Sequence, residues 1–201
     1  HASEGKSFTS ITLCRKLAER GKRVVLVDTD LRRSMITTVY GVQFAPGSKK
    51  QGLSHYLAGI AEKEEVLFHT NVPGMDFIPM GHELLNPIPL LSSERFQNLL
   101  DGLAEQYDYV IVDAAPVGVV IDAAEIAKVC DGILLVVSYN QVHRQELIDA
   151  KNQLEQTGCP ILGTILNQVD YEGFANKKYY YKSHYSSYYK AYEKEAEEKK
   201  S

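Results

Sequence analysis

Three aspartates and one short glycine loop carry the chemistry open to this chain. Glu4-Gly5-Lys6-Ser7 is the closing half of a phosphate-binding loop of the pattern G-x-x-x-x-G-K-[ST], whose first glycine would fall before His1. In such a loop Gly5 lets the backbone approach a phosphate, Lys6 reaches the outer phosphates, and the Ser7 hydroxyl goes to Mg²⁺. Glu4 and Phe8 flank them as further nucleotide-contacting positions, and the following helix turns its positive N-terminus toward the anion. Asp28 and Asp30 form a D-x-D at the end of Arg23-Val24-Val25-Leu26-Val27-Asp28, and Asp113 closes Tyr109-Val110-Ile111-Val112-Asp113. Taken singly, a GKS occurs in surface turns, and a strand-end aspartate commonly caps a helix or turn. In this order and spacing they compose a site for a nucleotide and Mg²⁺, an ion that takes few hard protein oxygens beside phosphates and water.

The third carboxylate exceeds what the metal needs. Hydrolysis requires an oriented water, whereas transfer to tyrosine requires a base for a phenol of pKa ~10. One of Asp28 and Asp30 can serve the metal while the other accepts that proton.

Positioning these groups requires strands that end in a common row. The apolar runs at 23–28, 109–113, 132–137 and 161–166 are apolar on both faces, as central parallel strands are. Between them helical periodicity marks 7–19, 92–106, 122–129 and 143–156. Alternating strands and helices predict an α/β doubly wound, mostly parallel sheet flanked by helices, with ligands at the carboxyl ends of the strands. The proline-rich stretch 41–90 is less regular; GLSHYLAG (52–59) reads as a short helix and MDFIPM (75–80) as a short strand. A phosphate loop normally follows a buried strand, so an upstream segment is expected before His1.

With 201 residues, 44% hydrophobic and 24% charged, the chain can bury a full core as one domain with an appendage. A net charge of −4 gives no support to a nucleic-acid partner. The scattered cysteines Cys14, Cys130 and Cys159 lack metal-ligand spacing and read as reduced, buried thiols of a cytosolic protein. No apolar run approaches the ~18 residues of a membrane span.

Composition changes near residue 171, dividing the chain into a nucleotide-binding domain over 1–170 and a tail over 171–201. Aliphatic residues nearly vanish from the tail, which is too polar to order itself alone, although AYEKEAEEKK has helix-forming composition. Seven of the thirteen tyrosines, Tyr179, Tyr180, Tyr181, Tyr185, Tyr188, Tyr189 and Tyr192, fall within 179–192. Such a cluster can be a sticky surface or a stacking platform for single strands, the latter favoured by Lys177, Lys178, Lys182 and Lys190 and opposed by the adjacent glutamates. On a chain with a phosphate loop it reads as a set of phosphoacceptors.

Taken together, GKS, VVLVDTDLRRS, YVIVDAAP and the tyrosine tail resemble the bacterial tyrosine kinases of capsule and exopolysaccharide synthesis. GLSHYLAG and NPIPLLSSERF are similar to that family's GL-x-x-x-L-x-G and N-P-x-x-L-L segments. The resemblance runs from about residue 1 to 192 and implies a P-loop NTPase-like fold with a flexible tyrosine-rich tail. It further implies an ATP- and Mg²⁺-dependent kinase that autophosphorylates its tyrosine cluster between neighbouring subunits. The implied partners are a membrane-bound polysaccharide co-polymerase that activates it, a cognate tyrosine phosphatase, and its own copies in a ring. That would place a cytoplasmic enzyme at the inner face of the membrane. By the same resemblance Lys6 is the phosphate-binding lysine, Ser7 the magnesium hydroxyl, Asp28 the base, Asp30 and Asp113 metal-site acids, and Asn167 the adenine-recognising residue. The chain departs from the family in Asp113-Ala114-Ala115-Pro116 for D-x-P-P and in Ala2 for a loop proline, and the family's Glu/Arg-rich ring helix and leading strand are expected before His1.

The main rival is a MinD/ParA-type ATPase switch without kinase activity. Its signature K-G-G-x-G-K-[ST] would need lysine and two glycines where this chain has His1, Ala2 and Ser3, and AYEKEAEEKK offers no apolar face for a membrane helix. A non-catalytic adaptor phosphorylated by another kinase is the third reading.

Overall fold

The computed structural model describes residues 5–34, 36–47, 49–116 and 121–169. The chain divides into two units, His1–Asn167 and Gln168–Ser201, and the architecture below is that of the first. The tyrosine cluster 179–192 and Glu4 lie outside the described residues.

In chain order the elements are α1 (Lys6–Glu19), β1 (Val24–Asp28), α2 (Ile36–Val39), α3 (Leu53–Leu57), α4 (Lys63–Val66), β2 (Phe68–His69), β3 (Met75–Ile78), α5 (Ile88–Leu91), α6 (Glu94–Ala104), β4 (Tyr109–Asp113), α7 (Asp122–Ala127), β5 (Ile133–Ser138), α8 (Arg144–Glu155) and β6 (Ile161–Asn167). The four apolar runs and the short strand read from sequence are all strands. The helical pattern at 92–106 begins only at Glu94, because the Ser93 side chain accepts from the Phe96 amide and caps the helix there.

β1 is central, and all five of its residues are buried. It pairs in parallel with β3, from Val24↔Met75 to Val27↔Ile78, and with β4, from Val24↔Tyr109 to Asp28↔Asp113. β2 adds an antiparallel edge to β3. The unbroken apolar run of β1 follows from burial on both faces. Val25 and Val27 pack with Phe96, Leu99 and Leu103 of α6 and with Leu53 and Leu57 of α3, while Val24 and Leu26 pack with Cys14 and Ala18 of α1.

β5 and β6 form a second, parallel pair, from Ile133↔Ile161 to Ser138↔Asn167. Leu154 of α8, Ala127 and Cys159 pack with Ile133, Leu135 and Ile161 of this pair. Between β4 and β5 lies a largely apolar cavity of about 920 Å³, walled by Val110, Val112, Leu135, Val137 and Leu147 and reaching Lys6 and Asp113. All three cysteines are free thiols, and burial pushes Cys14 up to about 12 and Cys130 to about 11. Among the described residues no helix is long and apolar enough to cross a membrane.

Candidate active site

Parallel pairing in register brings the acids together. Asp28 and Asp113 face each other at the ends of β1 and β4, and Asp30 follows two residues later. The junction is closed by Thr29, whose amide and hydroxyl both donate to the Asp113 carbonyl, at 2.9 and 2.7 Å.

The first turns of α1 meet that row from the other side. Gly5 is the N-cap of α1 with φ 85°, a left-handed conformation in which only glycine rests easily. Any Cβ at Gly5 would stand 2.0 Å from Nδ2 of Asn167, so the last residue of β6 sits against the loop glycine. The Ser7 hydroxyl donates to Oδ2 of Asp113 at 2.6 Å, and the Ser10 hydroxyl donates to Oδ1 at 2.8 Å while lying 3.1 Å from the Lys6 carbonyl. Asp113, 4% exposed, therefore has both oxygens held by α1 hydroxyls. Burial raises its pKa, opposed by the two hydroxyls and the Lys6 charge. Phe8 points outward, 56% exposed.

Asp28 has no solvent exposure. The Ser34 hydroxyl donates to its Oδ2, and its Oδ1 has no hydrogen-bond partner. Burial, reinforced by the Asp113 and Asp30 charges and opposed by Ser34 and the Asp30 amide, pushes the Asp28 carboxyl up to about 7. Asp30 is half-buried, and its Oδ1 accepts from the Arg33 amide at 3.1 Å. The phenol of Tyr40 is raised by partial burial and then by Asp113, so it lies within the field of the site.

The structure thus brings Gly5, Lys6, Ser7, Asp28, Asp30 and Asp113 to one end of the four-stranded sheet, with Asn167 of the second sheet against Gly5. Sequence reasoning missed Ser10, Thr29, Ser34 and Asp122. Their partners lie up to 103 residues away along the chain (Ser10 to Asp113), and no short motif marks them. Ser10 alone left a trace, one helical turn after Lys6 on the α1 face that looks at β4.

A glycine loop capping a helix, with hydroxyls bound to a strand-end aspartate beside a parallel neighbour, defines the P-loop nucleotide-binding class. Residues 3–158 match the family model described as an AAA domain. Tyrosine-protein kinase CpsD of Streptococcus agalactiae is 40% identical over 167 residues, covering 83% of this chain and 70% of that protein. The chain belongs to the bacterial tyrosine-protein kinase family. The solved kinase domain of Escherichia coli tyrosine kinase ETK superposes with a TM-score of 0.78 at 36% identity, over 84% of this chain and 64% of that one. The septum site-determining protein MinD from Pyrococcus horikoshii, solved with Mg-ADP, has a TM-score of 0.68 at 23% identity, over 83% of this chain and 66% of that one; it shares the fold alone.

Proposed function

We infer that the chain is an ATP-dependent protein-tyrosine kinase that phosphorylates the cluster Tyr179–Tyr192 of a neighbouring copy during capsular or exopolysaccharide synthesis. The observation that carries the reading is the convergence of Ser7, Asp28, Asp30 and Asp113 beside the Gly5-Lys6 loop, in a chain 40% identical to a tyrosine-protein kinase. In this reading Gly5 gives the phosphates close access to the backbone, and Lys6 neutralises their charge. Ser7, Asp30 and Asp113 would hold Mg²⁺ jointly with nucleotide oxygens. Among the described residues no three His, Cys, Asp or Glu side chains are grouped to hold a metal by themselves; the Ser7 hydroxyl beside a strand-end acid suits a cation that arrives with its own phosphate and water ligands. When bound, Mg²⁺ would supply charge stabilisation to the transferring phosphoryl group.

Asp28 is assigned as the base. A carboxyl pushed to about 7 is matched to proton transfer near neutral pH. Asp30 is the more accessible acid, and exchanged roles for the two are separated by comparing Asp28→Asn with Asp30→Asn. The base variant retains Mg²⁺ affinity and loses rate, whereas the metal-site variant loses Mg²⁺ affinity. Asn167 is assigned to the nucleoside side of the site, and Glu4 and Phe8 to the phosphate loop. The tail supplies acceptors at high effective concentration. The partners of this reading are further copies in a ring, a membrane-bound co-polymerase that activates the kinase at the inner membrane face, and a phosphatase that resets it.

The test is the intact mass of the phosphatase-treated chain before and after MgATP, beside Lys6→Met. A ladder of added phosphates that maps to 179–192 and is absent from the variant is the expected result. ATP consumption without added phosphate, also in the presence of the activating segment, would assign a nucleotide switch instead.

A further inference from the structure

Arg32 joins three connections of the sheet. β3, β1 and β4 lie side by side and parallel, so the loops after them leave from one edge. Arg32 stands in the loop after β1, and its fork grips Asp122, with Nε to Oδ2 at 2.6 Å and Nη2 to Oδ1 at 3.0 Å. Asp122 opens α7, the helix reached from β4 and Asp113, and is only 1% exposed. The remaining nitrogen, Nη1, donates to the Leu85 carbonyl at 2.8 Å, in the connection after β3. Beside it the Leu84 amide donates to the Leu31 carbonyl at 2.7 Å, and Leu31 is fully buried.

Asp30 sits between two anchors. On one side Thr29 is bonded twice to the Asp113 carbonyl; on the other, Leu31 and Arg32 are fixed to the connections after β3 and β4. A bidentate guanidinium–carboxylate pair sets orientation as well as distance. Such a pair contributes little net stability when buried, because desolvation offsets the attraction. Its location explains it better than its energy does: it ties the Asp30 loop to the helix that follows Asp113.

We propose that Arg32 and Asp122 are positioning residues that set the placement of Asp30 relative to Asp113, and through it the Mg²⁺ affinity of the site. This rests on the reading of Asp30 and Asp113 as cation-holding acids. Neither Arg32 nor Asp122 touches the reacting atoms; both act through the backbone that carries Asp30.

The test uses the full chain and two variants. The double variant Arg32→Met/Asp122→Leu removes the ion pair without leaving a buried charge unpaired, and Arg32→Lys keeps the charge but loses the fork. Thermal unfolding, metal-free ADP binding, and Mg²⁺ titrations of ATP binding and of phosphotyrosine formation are measured for each. The double variant is expected to unfold near the wild-type temperature and bind metal-free ADP normally. Its half-saturating Mg²⁺ rises about tenfold and its rate falls about 10- to 100-fold, the range for residues that orient metal ligands from behind; Arg32→Lys falls between. Wild-type Mg²⁺ dependence in both variants overturns the proposal. Should the double variant not fold, the same titration on Arg32→Lys decides. Should the wild type form no phosphotyrosine even with the activating segment, the kinase reading fails by itself, and the Mg²⁺ titration of ATP binding still decides this one: a shifted curve supports it and an unshifted curve refutes it.

Discussion

Replacing Asp28 with asparagine is expected to stabilise the metal- and nucleotide-free chain while disabling it, and the pH dependence of that gain follows from the site. The carboxyl ionises around 3.8 when unfolded and around 7 in the fold, because burial disfavours its charge and Asp113 and Asp30 add repulsion. Between those values the native state keeps a proton that the unfolded chain has lost. Wild-type stability therefore falls as pH rises through that window and levels off above it. At about 1.4 kcal/mol per tenfold, the ionisation cost is roughly 2 kcal/mol at pH 5 and roughly 4 kcal/mol at pH 8. Asparagine carries no charge at either pH. The stability difference between variant and wild type should thus widen by roughly 2–3 kcal/mol from pH 5 to pH 8, whatever constant offset its own amide introduces.

Urea unfolding of both proteins in chelator, at pH 5, 6, 7 and 8, measures that difference directly. Parallel stability curves, or a gap that grows toward low pH, would refute the burial argument. Phosphotyrosine formation by the same variant should fall at least about 100-fold, the usual worth of a general base. Gained stability beside lost activity is what a strained functional group produces.

Three further outcomes follow. Gly5→Ala forces a left-handed φ on alanine and drives its Cβ into the Asn167 amide; it should destabilise the chain by more than about 1 kcal/mol and weaken ATP binding, both measurable by thermal shift with and without nucleotide. Phe96→Ala empties a fully buried ring site between α6 and β1 and should cost about 3–5 kcal/mol in urea unfolding, leaving Mg²⁺ affinity of the folded fraction unchanged. Ser93→Ala removes the α6 cap and should cost about 1 kcal/mol by the same assay, with no change in rate.

The strands were legible because burial on both faces leaves a mark: Val24–Val27 cannot be mistaken for a half-exposed strand once α1 and α6 both need a surface. The Gly5-Lys6-Ser7 loop and the strand-end acids were legible because their chemistry is local, with each residue adjacent to the element that aims it. β2 and α4 were not. A two-residue strand exists only through its pairing with Phe77 and Asp76, and α4 spans just Lys63–Val66, too short to show a period. Ser34 could not be read either, since a serine six residues after an aspartate has many harmless uses. What distinguishes it is the turn that brings its hydroxyl back onto Asp28 and its oxygen under the Ile36 amide at 3.2 Å.

The same comparison separates two kinds of acid in the site. Asp113 is buried but satisfied, with a hydroxyl on each oxygen and the Lys6 charge within its field. Asp28 is buried and half satisfied, with one oxygen on Ser34 and the other bare. A buried carboxylate oxygen without a hydrogen-bond partner costs stability, and Ser34 and the Asp30 amide offset that cost only in part. Hydrophobic neighbours of similar volume would make a steadier core at that position. The persistence of the acid in an otherwise apolar strand, VVLVD, is thus better explained by what it does when ligand arrives than by the fold it belongs to. A cation next to Asp28 would offset the repulsion from Asp113 and Asp30, so cation binding and the ionisation of Asp28 are coupled in sign: each favours the other.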